Sequence, residues 1–384
     1  MCPHIPVGSR LLHFAQKWGR VTQDPWFLRI VGEGYIIPFI TNPPLLKTPL
    51  NLTADHSALP EIVDSLIRKG AVERVIHVDS PGFYSRLFLV PKKNGSWRPV
   101  IDLFALNQYV DIQTFKMETS ASIRSSIRPG HWGVSLDLAD AYFHVPIHPQ
   151  SRKYLRFCFQ NEVLQFRALP FCLATAPRLF TRKAEAEGFH KATVAGFLRL
   201  NGSVLLQYLD DWLLHQSDRS VLLQDLVNCW SEISHLGLLL NPEKSELTPS
   251  QDFTFVGMNF RTDLGIIRVP FSRTQALIAL VRKFASQERV RARFFLRLLG
   301  VLNAAADSVL LGRLHMRPLQ FYLMALWKFG RDPLSLWVPI RPLIVPHLLW
   351  WTVEDRFREG VPLSPSLFLV TDASLSGWGR IWSL

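Results

Sequence analysis

Apolar residues recur at the spacing of a helix in several parts of the chain. This pattern predicts helices over residues 55–75, 174–189 and 221–236, and Gly237 follows the last of them. Glycine is common just beyond a helix because it adopts positive φ without a steric cost. Helical periodicity resumes after Arg273 and continues to about residue 351, so we expect a mainly helical region there.

Short apolar runs between these helices predict β-strands. The runs cover residues 87–90, 97–103, 131–138, 153–159, 163–168, 203–208, 212–215, 254–260, 266–269 and 367–372. The gap at residues 92–95 contains Asn-Gly, which favours a hairpin turn, and residues 160–162 join the next pair of strands. Residues 139–143 have a helix-like pattern.

Acidic residues lie at the ends of some apolar runs. Asp210 and Asp211 stand side by side between two of them, and Asp137 ends another. A buried carboxylate without a partner is costly, so such residues belong in an exposed turn or beside a metal ion. Three carboxylates from two strands suit a hard divalent cation, and therefore phosphoryl transfer. The simpler alternatives are a solvated turn for Asp210 and Asp211 and a helix N-cap for Asp137.

Composition points to a globular protein with a polyanionic partner. The 384 residues are 48% apolar and 19% charged, and their net charge is +12. This length has room for two or three packed units. Because basic residues are spread along the chain, we expect a folded basic groove rather than a disordered basic arm. Nucleic acid is the first candidate for its partner, and an anionic membrane surface is the second. A charge that serves only solubility is the alternative.

The four cysteines show no CxxC spacing, so neither a zinc signature nor a disulfide framework is present in the sequence. No signal peptide opens the chain, and no run of about 20 apolar residues could span a bilayer. We therefore expect an intracellular protein of the cytoplasm or nucleus that does not bind a membrane.

Six motifs, taken in order, resemble those of reverse transcriptases. The resemblance covers residues 50–260 and includes the two segments that carry the carboxylates, 135–143 and 208–211. The other motifs resemble the fingers hairpin (89–102), the template- and nucleotide-contacting segment (169–177), the lysine-bearing motif (240–245) and the primer grip (255–258). One such motif is a moderate signal, and six in order are a strong one.

The resemblance implies an α/β (α+β) right-hand polymerase with fingers, an antiparallel-sheet palm and a helical thumb or connection. Residues 1–48 would be an N-terminal extension, 49–260 the fingers and palm, and 261–362 the thumb or connection. Residues 363–384 would be the truncated start of a ribonuclease H-like domain, beginning with its first strand. The Leu-Pro-Phe sequence at 169–171 resembles retroelements of the DIRS-type or gypsy-type branch.

The implied activity is RNA-directed DNA synthesis by a retrotransposon reverse transcriptase. Asp137, Asp210 and Asp211 would hold two Mg²⁺ ions, for which Mn²⁺ can substitute. The partners would be an RNA or DNA template with its primer and the deoxynucleoside triphosphates (dNTPs). The sequence leaves the oligomeric state open.

The resemblance also assigns residues to the incoming nucleotide. Lys93 and Arg98 would hold the triphosphate, and Asp140 and Ala141 would offer it their backbone N–H groups. Tyr142 would lie under the sugar and exclude a 2′-hydroxyl. The alternatives are solvated hairpin cations, a helix cap at Asp140 and an ordinary core aromatic.

Further assignments concern the base pair, the leaving group and the primer. Phe171 would pack near the nascent base pair, and Lys244 would neutralise or protonate the leaving pyrophosphate. The primer grip would comprise Phe255, Val256, Gly257 and Met258. The corresponding alternatives are a buried core residue for Phe171, a solvated surface residue for Lys244 and a plain buried strand for the primer grip.

Three positions qualify the resemblance. Cys172 stands where the family usually has glycine, and Phe104 where it usually has arginine. Both favour the alternative of a catalytically decayed relic that only binds nucleic acid. Asp372 resembles the first metal-binding carboxylate of ribonuclease H, or is a turn aspartate. We expect no ribonuclease H activity, because that chemistry needs further carboxylates.

Overall fold

The computed structural model describes residues 5–383 except 54, 78–79, 93–94, 116, 182–202, 364–367 and 375–376. The chain divides into two compact units. Unit 1 comprises Met1–Met117, Leu136–Leu214 and Leu223–Leu247, and unit 2 comprises Glu118–Ser135, His215–Leu222 and Thr248–Leu384. Within the described residues, no helix has both the length and the apolar character needed to cross a membrane.

The described helices are mostly short in the first half of the chain. The α-helices are α1 (Ala15–Trp18), α2 (Pro25–Glu33), α3 (Leu59–Arg68), α4 (Phe104–Asn107), α5 (Ser120–Ser126), α6 (Pro149–Arg152), α7 (Ala176–Thr181), α8 (Arg219–His235), α9 (Phe271–Ala285), α10 (Ala292–Ala306), α11 (Gly312–Leu326), α12 (Val345–Trp350) and α13 (Asp355–Glu359). Segments of 3-10 helix cover Arg10–Phe14, Ala141–His144 and Pro342–Ile344.

The described strands form small sheets. They are β1 (Val72–Arg74), β2 (Leu87–Pro91), β3 (Trp97–Ile101), β4 (Trp132–Asp137), β5 (Arg156–Phe159), β6 (Glu162–Phe166), β7 (Val204–Tyr208), β8 (Asp211–Gln216), β9 (Glu246–Ser250), β10 (Asp252–Phe255), β11 (Met258–Arg261), β12 (Ile266–Arg268), β13 (Arg289–Arg291), β14 (Trp337–Pro339), β15 (Val361–Pro362), β16 (Phe368–Ser374) and β17 (Gly377–Ser383). Their orders are β1-β6-β5, β2-β3, β7-β8-β4-β9, β10-β11-β12-β15, β13-β14 and β16-β17. Every strand pair whose register is described is antiparallel.

The helix predicted over residues 55–75 was wrong at both ends. Helix α3 begins next to Pro60, which favours the first turn of a helix, and ends before Gly70, whose φ is +66°. The apolar residue Val72 belongs instead to strand β1, where it pairs with Phe166. The apolar residues before and after Gly70 recur at helical spacing, so the sequence pattern wrongly predicted one continuous helix.

Local turn chemistry predicted two other elements correctly. Helix α8 ends just before Gly237, whose φ is +86°. Strands β5 and β6 are joined by Gln160 and Asn161, with φ of 48° and 64°, as in a type I′ hairpin. The helix predicted over residues 174–189 is described only as α7, and its remainder lies outside the described residues.

The single strand predicted over residues 254–260 was wrong. Strand β10 ends at Phe255 and β11 begins at Met258, and Val256 and Gly257 form the turn between them with φ of 47° and 74°. Positive φ is rare for a β-branched residue such as valine, so the apolar run gave no sign of the turn.

The N-terminal residues pack within unit 1 against the end of α8. Trp18 is buried, its indole N–H donates to the carbonyl oxygen of Leu236 at 2.9 Å, and its ring contacts Phe27 edge to face. The guanidinium of Arg10 donates to the carbonyl oxygen of Gly237 at 2.8 Å. The buried polar groups of Arg10 and Trp18 are thus hydrogen-bonded, so this N-terminal segment is packed as part of the core of unit 1.

Unit 2 has its own core between α9, α10, α11 and α12. Phe284, Phe295, Leu298 and Leu302 are fully buried in it, together with Trp351. Phe284 and Phe295 meet edge to face, with ring centres 4.9 Å apart. Each buried side chain of this size contributes about 1.5–3 kcal/mol, so the helical region predicted after Arg273 is held mainly by packing.

The last described element is the hairpin of β16 and β17. The strand predicted to end at Asp372 continues to Ser374, because Ala373 pairs with Trp378 and Ser374 with Gly377. Asp372 lies opposite Gly379 within this ladder. Its role as a ribonuclease H carboxylate stays a prediction.

Candidate functional site

The adjacent carboxylates lie at the turn between β7 and β8 in unit 1. Strand β7 ends at Tyr208 and β8 begins at Asp211, so Leu209 and Asp210 form a two-residue turn. Leu209 has a φ of 56°, which costs a non-glycine residue about 1–2 kcal/mol. The indole N–H of Trp212 donates to the carbonyl oxygen of Leu209 at 3.1 Å and steadies the turn. Asp210 and Asp211 are both exposed there.

Asp137 ends β4, the strand next to β8 in the sheet. Its N–H donates to Ser245 Oγ at 3.0 Å, and its carbonyl oxygen accepts from the N–H of Asn241 at 2.8 Å. The N–H of Leu138 donates to the carbonyl oxygen of Asp210 at 3.1 Å. Backbone hydrogen bonds therefore join the strand end that carries Asp137 to the turn that carries Asp210.

One oxygen of Asp137 is buried without a hydrogen-bond partner among the described residues. The side chain of Asp137 is only 14% exposed, and Lys244 Nζ lies 3.6 Å from this oxygen, Oδ1. Burial raises the pKa of Asp137 and the charge of Asp210 raises it further, whereas Lys244 lowers it. A buried carboxylate oxygen in this state is one that a cation would stabilise.

The three carboxylates repel one another. Although Asp211 is exposed as a residue, neighbouring groups partly desolvate its carboxylate and raise its pKa, and the charges of Asp210 and Asp137 raise it further, against the opposing charge of Lys244. Three acidic groups thus share a small region with one nearby lysine that is mostly solvated, 66% exposed. The local excess of negative charge favours the binding of cations.

The donor set fits a hard divalent cation. Carboxylate oxygens are the ligands that Mg²⁺ prefers, and one of them is buried and unpartnered. Among the described residues, no three His, Cys, Asp or Glu side chains are already arranged to hold a metal ion. Holding an ion between Asp137, Asp210 and Asp211 would require their side chains to converge further.

A left-handed turn follows β4 at Asp140, whose φ and ψ are 48° and 43°. Its carboxylate pairs with Lys69 Nζ at 2.7 Å, and the two side chains are 33% and 41% exposed. The N–H groups of Asp140 and Ala141 have no described backbone partner. Both amides are therefore able to donate to an anion, as a turn of this kind often does. Their role in holding the triphosphate stays a prediction.

Buried His144 supports the same turn. The N–H of Leu239 donates to His144 Nε2 at 3.0 Å, so Nδ1 carries the proton and donates to the carbonyl oxygen of Ala141 at 3.1 Å. Burial lowers the pKa of His144 to about 4, which keeps the ring neutral. The N–H of Ser9 donates to the carbonyl oxygen of Phe143 at 2.8 Å, so the N-terminal segment also supports the turn.

The predicted fingers hairpin is present as β2 and β3. Residues 92–96 connect the two strands, and the N–H of Lys92 donates to the carbonyl oxygen of Ser96 at 2.7 Å. Arg98 lies exposed on β3. Lys93, the other residue assigned to the triphosphate, lies outside the described residues.

Basic side chains gather around the turn at Asp140. Burial lowers the pKa of Lys92, and the charges of Arg98, Lys244 and Lys69 lower it further. Only the charge of Asp140 is described as opposing this shift. The positive charge that Arg98, Lys244 and Lys69 direct at Lys92 makes this region a natural site for a polyanion such as a triphosphate.

Tyr142 lies in the 3-10 helix that follows this turn, and it is near enough to Asp210 to feel its charge. Its ring meets that of Phe171 edge to face, with centres 5.1 Å apart, and Phe171 also contacts Phe143 at 5.7 Å. Burial raises the pKa of Tyr142 to about 12, and the charge of Asp210 adds to the shift. The residues assigned to the sugar and to the base pair therefore form one aromatic cluster beside Asp210.

The structure explains the glycine expected at position 172. Cys172 is exposed and has a φ of 76°, a conformation that glycine adopts without strain. Asn107 holds the segment, because its side-chain amide donates to the carbonyl oxygen of Cys172 at 2.9 Å and accepts from the N–H of Ala174 at 3.0 Å. Phe104, the second departure, is 75% exposed.

The residues assigned to the primer grip belong to unit 2. Phe255 and Met258 are buried, and Val256 and Gly257 form the turn between their strands. Arg273 donates to the carbonyl oxygen of Gly257 at 2.9 Å. Their contact with a primer stays a prediction.

Sequence reasoning missed two supporting residues, Lys69 and His144. Lys69 is separated from Asp140 by 71 positions and gives no local signal beyond its place just before Gly70. His144 directly follows the predicted motif at 135–143, but only its buried hydrogen bonds show that it stabilises the turn.

Comparison with known proteins supports the polymerase resemblance. Residues 90–260 match the family model described as "Reverse transcriptase (RNA-dependent DNA polymerase)". The chain is 27% identical over 217 residues to the Pro-Pol polyprotein of Simian foamy virus type 1, covering 56% of this chain and 17% of that protein. It is 26% identical over 223 residues to the retrovirus-related Pol polyprotein from transposon 412 of Drosophila melanogaster, with coverages of 56% and 17%. The chain thus spans less than a fifth of either relative.

Solved structures share the fold. The foamy viral protease–reverse transcriptase bound to double-stranded DNA has a TM-score of 0.65 and 15% identity, covering 96% of this chain and 67% of that one. The same protein bound to an RNA/DNA hybrid has a TM-score of 0.60 and 15% identity, with coverages of 97% and 52%. The chain therefore shares the fold of these reverse transcriptase structures, and its residues 90–260 are similar to the reverse transcriptase domains of retroviruses and retrotransposons.

Proposed function

We propose that this chain is the RNA-directed DNA polymerase of a retrotransposon and extends a primer with dNTPs. The observation that carries the proposal is the buried Oδ1 oxygen of Asp137, which accepts no hydrogen bond among the described residues and has only Lys244 Nζ nearby, beside the turn of Asp210 and Asp211. A divalent cation would stabilise this buried oxygen more fully than the mostly solvated Lys244, 3.6 Å away, does. The family match over residues 90–260 supports the same reading.

Asp137, Asp210 and Asp211 are the residues that would hold two Mg²⁺ ions. Bound there, the ions would supply charge stabilisation for nucleotidyl transfer and lower the pKa of the primer 3′-hydroxyl. Mn²⁺ shares the preference for oxygen ligands and can substitute. The protein's own contribution is to fix the backbone of Asp137 through Ser245 and Asn241.

The basic cluster would bind the triphosphate. Arg98 and Lys92 would neutralise its charge, Lys69 would hold the turn through its ion pair with Asp140, and the N–H groups of Asp140 and Ala141, which have no described backbone partner, would position the triphosphate. Lys93 stays a member of this set by its place in the motif. Lys244, 3.6 Å from Asp137, would neutralise the leaving pyrophosphate.

Tyr142 would select deoxynucleotides. Its ring is held on one side by Phe171, so a ribose 2′-hydroxyl would meet a fixed aromatic edge rather than a mobile side chain. A neutral phenol next to Asp210 adds no charge to the metal site. The role proposed for Phe171 is to fix this ring and to pack near the nascent base pair.

The template and primer would bind mainly through their phosphates. The net charge of +12 supports such binding, and affinity should fall steeply as salt rises. The solved structures with this fold hold double-stranded DNA and an RNA/DNA hybrid. The primer grip at residues 255–258 would position the primer terminus.

Primer extension on poly(rA)/oligo(dT) tests the proposal. The wild-type chain should extend the primer with Mg²⁺ or Mn²⁺, and Asp210→Asn should lose at least about 1,000-fold in rate while it still binds the duplex. The matched control Asp64→Asn changes an exposed carboxylate on α3 and should retain full activity. A folded wild-type chain that shifts the duplex but extends nothing would support the decayed relic instead.

A further inference from the structure

The small sheet β13–β14 of unit 2 displays two arginines packed on an exposed tryptophan. Arg289 and Arg291 are exposed and alternate with buried Val290, so both lie on the outer face. Arg291 pairs with Trp337, which is 50% exposed. The guanidinium carbons of Arg289 and Arg291 lie 5.2 and 5.4 Å from the centre of the Trp337 ring, within the range of cation–π contacts.

The alternation extends to a third arginine and to apolar neighbours. Arg293 is exposed, and its N–H donates to the carbonyl oxygen of Leu334 at 3.0 Å. The N–H of Ala292 donates to the carbonyl oxygen of Leu336 at 2.8 Å. Because these amides at the start of α10 are already used, only side chains are free to bind a ligand there. Leu334 and Leu336 are themselves 41% and 36% exposed.

The three arginines carry positive charge without acidic partners. None of them forms an ion pair in the part of the chain that the structure describes, whereas Arg313 and Arg358 of the same unit do. Residues 271–343 contain 12 Lys and Arg but 3 Asp and Glu, a net charge of +9. Stacking on an indole also leaves the N–H edge of a guanidinium free to donate. The complementary ligand is therefore polyanionic.

We infer that Arg289, Arg291, Arg293 and Trp337, named here the arginine–tryptophan surface, bind a single strand of nucleic acid. Arg289 and Arg291 are alternate residues of β13, about 6.6 Å apart at about 3.3 Å per residue, and Arg293 follows in the first turn of α10, so the arginines can meet different phosphates. The exposed indole and the leucines beside it suit unpaired bases, whose faces a duplex conceals. The inference rests on the proposed function for its biological setting, but it uses none of the residues that would hold metal or dNTP.

Binding of fluorescein-labelled oligo(dT) to the full chain tests the inference. Fluorescence anisotropy in EDTA, without primer or dNTP, removes any dependence on catalysis. Arg289→Ala/Arg291→Ala should weaken binding at least about 10-fold and reduce the slope of log K against log salt by about 1.4, that is, 0.7 for each of two phosphate contacts. Trp337→Ala should weaken binding about 3- to 10-fold through lost stacking, with a smaller change in slope.

Charge-matched controls make the result decisive. Arg20→Ala/Arg317→Ala removes two exposed arginines from elsewhere and should change binding less than 3-fold. Arg289→Lys/Arg291→Lys keeps the charges and should preserve the salt slope, and it also serves if the alanine variant does not fold. Equal losses in the Arg289→Ala/Arg291→Ala and control variants would overturn the inference.

Three further outcomes are informative: two separate this inference from the proposed function, and one tests the ligand. If the wild type extends primers but its oligo(dT) affinity is unaffected by Arg289→Ala/Arg291→Ala, the surface is not a nucleic-acid site and the polymerase proposal stands. If the alanine variant loses duplex affinity while single-strand affinity is retained, the proposed ligand is wrong. If oligo(dT) binding falls as expected while the wild type extends no primer, the surface is supported and the catalytic proposal fails.

Discussion

The ion pair between Lys69 and Asp140 gives the sharpest prediction about nucleotide binding. Lys69→Ala removes a contact of 2.7 Å to the residue that holds a left-handed backbone, with φ of 48°. Because both side chains are partly exposed, the pair contributes about 1 kcal/mol or less. The left-handed conformation costs about 1–2 kcal/mol. The two effects are of similar size, so without Lys69 the turn should spend part of its time in other conformations.

The expected consequence is a rise in the apparent KM for dNTP. If loss of the ion pair shifts the conformational equilibrium of the turn by about 1 kcal/mol against the binding-competent form, apparent affinity falls by up to about 5-fold, since 1.4 kcal/mol is tenfold. The rate at saturating dNTP should change less than 2-fold, because Lys69 makes no described contact with Asp137, Asp210 or Asp211. Steady-state single-nucleotide extension separates the two parameters.

Matched variants distinguish this role from a general effect of charge. Lys69→Arg should retain the ion pair and a near-normal KM, and Lys47→Ala, which removes an exposed lysine, should leave KM unchanged. In a double-mutant cycle, Lys69→Ala and Asp140→Ala should be non-additive, because each removes the same pair. Additive effects, or equal KM changes in Lys69→Ala and Lys47→Ala, would refute the reasoning.

Three other outcomes follow from the same site. Tyr142→Ala should raise ribonucleotide incorporation relative to deoxynucleotide by roughly 10- to 100-fold, Tyr142→Phe should not, and unchanged discrimination would remove the gate role. Cys172→Gly should be more stable to urea than Cys172→Ala by about 1 kcal/mol, because only glycine relieves the φ of 76°; the reverse order would show that the strain is absent. Stability should fall as pH drops from about 6.5 toward 4, since the pKa of buried His144, about 4, is below its unfolded value and protons then favour the unfolded chain. His144 should contribute about 2 kcal/mol to the loss between pH 7 and pH 5 in urea unfolding, buried His215, whose pKa burial lowers to about 3, should add to it, and a flat profile would contradict the prediction.

Local chemistry made parts of the fold predictable from sequence. The turn at Gln160 and Asn161 and the helix end at Gly237 both depend on residues that tolerate positive φ. The turn at Val256 and Gly257 was missed because valine seldom adopts that conformation, so an apolar run concealed two strands. Where a residue adopts a backbone conformation that its type disfavours, tertiary contacts determine that conformation, and the local sequence does not predict it.

In the candidate site, too, some features could be predicted from the sequence and others depend on tertiary contacts. Asp137, Asp210 and Asp211 were recognisable because acidic residues at the ends of apolar runs conflict with burial. The ion pair between Lys69 and Asp140 was not recognisable from the sequence, because the two positions are 71 residues apart. Position 172 lies between these cases: the resemblance predicted a glycine there, and the positive φ of Cys172 supplies the physical reason.

A count of bound Mn²⁺ tests the central claim most directly. The full chain would be mixed with a dideoxy-terminated primer, its template and the next dNTP, and free Mn²⁺ would be measured by electron paramagnetic resonance. We predict two tightly bound ions in the wild type, and fewer in Asp137→Asn, with Asp64→Asn unchanged. Equal binding by the wild type and Asp137→Asn would contradict a metal site built on the buried oxygen of Asp137.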